Sequence, residues 1–109
     1  MELDWWLFGA AAAAVLLGCL VPNRWLPPLP NDKVMHFAAF AVLMLLAGRV
    51  AETKTALLCW VGGLLLAGWL IEVLQQWLPD RSFCWRDMAA NAAGIAVAAV
   101  LTLMIDGYR

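Results

Sequence analysis

From residue 55 to residue 78 the chain carries one charged side chain, Glu72, in an otherwise apolar run. As a helix that run is about 36 Å long, more than the roughly 30 Å of a bilayer's hydrocarbon core. A chain of 109 residues has room for one domain only. It is 65% apolar with a mean hydropathy of +0.82, against roughly 45–50% apolar in soluble domains. A soluble core of this size does not hide that much apolar surface, so the bilayer is the expected solvent.

Three further apolar stretches, near residues 5–21, 34–50 and 87–105, complete an expected four-helix transmembrane bundle, an all-α membrane protein. Glu2 and Asp4 stand where a secretion signal carries positive charge, so the first stretch is read as a retained helix, with Trp5 and Trp6 as interfacial anchors. Residues 22–30 hold four prolines and read as an extended connection along the membrane surface. Asn31 or Asp32 is the expected cap of the helix that follows. In the third stretch Gly62, Gly63, Ala67 and Gly68 permit close helix approach. In the fourth, Asp87, Asn91, Gly94 and Ala98 share one face.

Four spans put both termini on one side and the first and third connections on the other. Lys and Arg divide three (Arg49, Lys54, Arg109) against four (Arg24, Lys33, Arg81, Arg86), which does not orient the protein. A net charge of −1 gives no basic excess for nucleic acid or for an electrostatic membrane tether. Cys19, Cys59 and Cys84 lie far apart and read as ordinary apolar residues. With a single histidine and no ligating cysteine pattern, zinc is disfavoured. Asp32 and His36, four apart, with Glu72 and Asp87 would make at most a carboxylate-led magnesium site. No metal or other cofactor is expected.

On this topology the polar residues gather at one leaflet. Asp32, Lys33 and His36 open the second helix, and Glu72, Gln75 and Gln76 lie towards the end of the third. Arg81, Arg86, Asp87 and Asn91 surround the start of the fourth. Asn91 or a glutamine alone reads as interhelical glue, worth about 0.6–2 kcal/mol. Glu72 is different: an ionisable group about 10 Å inside a helix end costs about 2–3 kcal/mol unless paired, and such groups default to function. The helices that begin at this leaflet also turn positive dipole ends towards it. The site is therefore expected to bind an anion, with Lys33, Arg81 and Arg86 adding charge and a deep, neutral Glu72 as proton donor.

The run Asp32-Lys33-Val34-Met35-His36-Phe37 resembles the opening motif of the VanZ-like family of small bacterial membrane proteins. Glu72-Val73-Leu74-Gln75 and the stretch from Arg81 to Gly94, RSFCWRDMAANAAG, resemble its later motifs in the same order. The resemblance covers residues 32–94 and implies one VanZ-like transmembrane domain over residues 1–109. The family's polar motif falls on Asp32, Lys33, His36, Glu72, Gln75, Arg81, Asp87, Asn91 and Gly94. It implies a multi-pass protein of the bacterial inner membrane but names no reaction.

The leading expectation is a membrane enzyme or binding site for a phospholipid or lipid-linked envelope precursor. Glu72, His36 and Asp87 are its expected catalytic set, and Asp32, Lys33, Gln75, Arg81, Arg86 and Asn91 its expected substrate contacts. The alternatives are a non-enzymatic envelope protein affecting teicoplanin-type susceptibility, as the family name implies, and a small transporter or assembly subunit. The link to an antibiotic that acts outside the cell favours an extracytoplasmic site.

Overall fold

A computed structural model describes residues 2–20, 32–77 and 85–107, the side chains of Cys19, Leu20, Asp32 and Lys33 excepted. These residues form four helices and no strand: α1 (Glu2–Leu20), α2 (Asp32–Val50), α3 (Lys54–Gln75) and α4 (Trp85–Asp106). The expected all-α architecture is present, with element ends within a few residues of those read from the sequence. The proline-rich connection, the cap at Asn31 or Asp32, and the residues 78–84 that join α3 to α4 lie outside the described residues.

Local chemistry explains the best-defined helix start. Thr53 has extended backbone, φ −131° and ψ 161°, and its Oγ1 accepts the Ala56 N–H at 3.0 Å. This satisfies one of the donors that a first turn leaves open. At the other end of α3 the helix stops at Gln75, short of the expected 78, and the Gln76 N–H closes on the Glu72 carbonyl at 3.3 Å. Glu72 therefore lies in the last turn of its helix.

The helices alternate in direction. Asp4 near the start of α1 accepts from Arg49 Nε near the end of α2 at 2.8 Å, so those two are antiparallel. Trp5 and Phe8 meet Trp60 near the start of α3, with ring centroids 6.0 and 4.9 Å apart, so α1 and α3 run together. The pair α2 and α4 is also parallel and makes the most extensive contact among the described helices. A Cβ built on Gly94 would sit 2.3 Å from the Phe37 carbonyl oxygen and 3.0 Å from the Ala41 nitrogen. One on Gly48 would sit 2.7 Å from Thr102 Cγ2. Both contacts require glycine, because backbone or a short side chain occupies the space a side chain would need.

The core of Phe40, Leu43, Met44, Ala47, Leu57, Leu64, Ile95 and Ala98 runs along these seams. Outward faces are apolar as well. Val97, Val100, Leu101, Met104 and Ile105 of α4 are exposed, as are Leu58, Leu65, Leu66, Trp69 and Leu70 of α3. A helix apolar on every side belongs in a large core or in lipid. By length and apolarity, Lys54–Gln75 and Trp85–Asp106 suffice to cross a membrane, while the apolar part of α2, Val34–Val50, is shorter. Among the described residues two helices, rather than the four expected, are long and apolar enough to cross a membrane. Val34–Val50 is about 25 Å long, short of the roughly 30 Å of a bilayer's hydrocarbon core. Gly62 and Gly63 correct a second expectation. Both are exposed, and no described residue lies within 4 Å of an added Cβ, so among the described residues Gly68 is the α3 glycine that serves close approach.

Candidate functional site

The alternating directions bring the starts of α2 and α4 and the end of α3 to one end of the bundle. His36 lies one turn inside α2, Glu72 in the last turn of α3 and Asp87 in the first turn of α4. One ring nitrogen of His36 and one carboxylate oxygen from each acid all lie within 4.8 Å of one another. Glu72 has no exposed surface, and Gln75 and Asn91 are 1% and 2% exposed. These residues are far apart in the sequence, and only the packing of three helices joins them.

Asn91 orients the histidine. Its Oδ1 lies 3.1 Å from His36 Nδ1, and since an amide oxygen only accepts, Nδ1 carries the hydrogen. The second ring nitrogen, Nε2, then faces Asp87 Oδ2 at 3.5 Å, with both side chains largely buried. In a neutral ring this places a lone pair opposite a carboxylate, and the second acid, Glu72, is close by. Two ionised carboxylates within 4.8 Å of each other repel by about 3 kcal/mol at an effective dielectric of about 20.

Small residues make room for this arrangement. A Cβ on Gly68 would lie 3.2 Å from Asn91 Nδ2 and 3.4 Å from the Phe40 ring. The Asn91 amide thus sits against the bare α3 backbone, one turn before Glu72. Phe40, 1% exposed, floors the cluster and also lines an open apolar groove of about 370 Å³ between α1, α2 and α3, reaching Ile71.

Of the residues singled out in the sequence, His36, Glu72, Asp87 and Asn91 meet here. Gln75 is buried on the same face of α3 as Glu72. Gln76 and Arg86 are exposed, and Arg86 stays outside the buried cluster. Arg81 and the side chains of Asp32 and Lys33 lie outside the described residues. Sequence reasoning missed Phe40 as the floor and the Asn91–His36 pairing. The signal for Phe40 was its position four residues after His36, on one helix face.

A helical bundle with apolar outer faces and one buried polar cluster at its end is the architecture of a membrane-associated protein. The chain belongs to the VanZ/LLP1 family, whose model matches residues 2–106. An uncharacterized protein of the fission yeast Schizosaccharomyces pombe is 33% identical, over a stretch covering 88% of this chain and 65% of the relative. The chain thus spans less than two thirds of that relative's length. No solved structure matches it. Membership points to a membrane-associated envelope protein. With a relative in yeast, it carries no bacterial origin by itself.

Proposed function

We propose that the chain crosses the bacterial inner membrane with all four helices, and that its polar cluster binds, and acts on, a phosphate-bearing lipid or lipid-linked precursor at one leaflet. The observation that carries this is Glu72, fully buried beside His36 and Asp87 at the end of an apolar bundle. A titratable group held at such a place costs stability, and the usual return is function. The amino ends of α2 and α4 both point to this end, and helix amino ends favour anions. Lys33, Arg81 and Arg86 are the cations proposed to hold the phosphate, with Gln75 and Asn91 as polar contacts. Glu72 and His36 are the proposed acid and base, and Asp87 holds the histidine.

The test is mass spectrometry of lipids that co-purify with the protein. The parent should retain a specific phosphate-bearing lipid, and Glu72→Ala should change its amount or its processed fraction. Arg81→Lys should weaken retention, because an ammonium does not reproduce the guanidinium's two-pronged phosphate contact. Equal retention by the parent, Glu72→Ala and Arg81→Lys would overturn the reading. An intact glycopeptide phenotype in Glu72→Ala cells would then favour the non-enzymatic envelope role.

A further inference from the structure

We propose that the groove between α1, α2 and α3 holds one straight acyl chain of a membrane phospholipid, with the headgroup at the end marked by His36, Glu72 and Asp87. The proposal rests on the lipid reading above and names the lipid class, one with ordinary fatty acyl chains.

Shape carries it first. Among the described residues the groove runs from Phe8 and Trp60 to Leu16, Phe40 and Ile71, and every residue that lines it is apolar. From Trp60 to Ile71 is about 16 Å along α3. That is close to the hydrocarbon depth of one leaflet, roughly 15 Å or half of a core of about 30 Å. At the far end the Phe8 and Trp60 rings meet edge to face, 4.9 Å apart, and stop the groove. Its volume of about 370 Å³ takes about a dozen methylenes, at about 30 Å³ for a water-sized group. That is most of one acyl chain, and too little for two chains or a long branched polyprenyl one.

The second observation is where the groove ends. Ile71 precedes the buried Glu72 in the chain, and Phe40, which lines the groove, also floors the polar cluster. The cleft is thus apolar along its length and polar at one end, as an amphipathic lipid standing upright in a leaflet is. The third observation is Gly63. It lines the groove, and a Cβ there would meet no described residue within 4 Å. Neither close packing nor a left-handed backbone calls for glycine at that position, and leucine is the better helix former. The space of the missing side chain belongs to the groove.

Detergent-purified full-length protein should be reconstituted in phosphatidylcholine vesicles with a limiting amount of phosphatidic acid bearing a diazirine on one acyl chain. Mass spectrometry after illumination locates the adducts. A diazirine near the carboxyl end of the chain should mark residues around Phe40 and Ile71. One near the methyl end should mark residues around Phe8 and Trp60. Gly63→Leu should lower the groove adducts by about 10-fold. Gly62→Leu, at an exposed position outside the groove, should leave them unchanged. The order of adducts in the parent decides the matter even if Gly63→Leu loses its helicity. Groove residues without adduct, the result if another helix or a second copy of the chain fills the groove, overturn the proposal. So do adducts that ignore the position of the diazirine, or equal labelling of Gly62→Leu and a helical Gly63→Leu. Stronger competition by unlabelled polyprenyl phosphate than by unlabelled phosphatidic acid overturns the acyl assignment. Diacylglycerol carrying the same chain separates the two readings. If it labels the groove as well as phosphatidic acid does, the groove stands and the phosphate reading falls. Preference for phosphatidic acid with adducts scattered over the outer faces keeps the phosphate site and removes the groove.

Discussion

Asn91 holds the His36 ring from within a helix seam, 2% exposed and 3.1 Å from Nδ1. A buried donor that loses its acceptor bears a desolvation cost of about 1–3 kcal/mol. Asn91→Leu should therefore lower stability by about that much, read as the thermal midpoint of helicity in detergent. Asn91→Asp should retain most of it, since its carboxylate still accepts the hydrogen. The exposed neighbour Gln76 supplies the control, and Gln76→Ala should stay within about 0.5 kcal/mol of the parent. A loss in Asn91→Leu no larger than in Gln76→Ala would mean that the histidine is held by something other than the amide.

The packing of α2 on α4 depends on two glycines rather than on matched large side chains. The space of a Gly94 side chain is taken by the Phe37 carbonyl and the Ala41 nitrogen. Backbone cannot turn aside as a rotamer can, so Gly94→Ala should cost about 1–3 kcal/mol and Gly94→Leu no less. Gly62 has the same residue type in the same kind of helix but open space around it. There alanine removes only the entropic penalty of glycine, and Gly62→Ala should leave stability unchanged or raise it by up to about 1 kcal/mol. Thermal unfolding of both variants checks the contrast, and equal responses would refute the close approach at Gly94. A third element-level effect concerns the start of α3. Removing the Oγ1 that accepts from Ala56, with Thr53→Ala, should cost about 1 kcal/mol.

For the whole molecule, the alternating helices place residues 49–54 and both helical termini at one end, and His36, Glu72 and Asp87 at the other. If the bundle spans a membrane, the two ends face opposite compartments. In a background with Cys19, Cys59 and Cys84 replaced by serine, Gln76→Cys and Glu52→Cys are exposed reporters of these ends. With the site on the extracytoplasmic side, a membrane-impermeant maleimide should label Gln76→Cys on intact cells. It should reach Glu52→Cys only after permeabilisation. The opposite pattern reverses the orientation, and labelling of both on intact cells removes the spanning of α3.

How much was legible in the chain follows from the range of the forces involved. Helix formation and preference for an apolar solvent are set by local composition, so four helices and their approximate ends could be read from residues 2–20, 32–50, 54–75 and 85–106. A polar face also survives projection onto a helix, which is why His36, Glu72, Asp87 and Asn91 are legible in the sequence. Local pattern could not show that Gln76 and Arg86 turn outward while Gln75 turns in. Nor could it show that Gly62 and Gly63 meet nothing while Gly68 makes room for an amide. Those outcomes depend on the rotation of each helix about its axis, which one chain segment does not determine alone. The parallel seam of α2 and α4 determines it. Once the Gly94 backbone rests on Phe37 and Ala41, Asn91 lies one turn away on the same face, beside His36, and α3 closes the third side with Glu72. The residue types of the site came from the sequence, and the 4.8 Å convergence of their donor atoms came from backbone contact between helices that are distant in the chain.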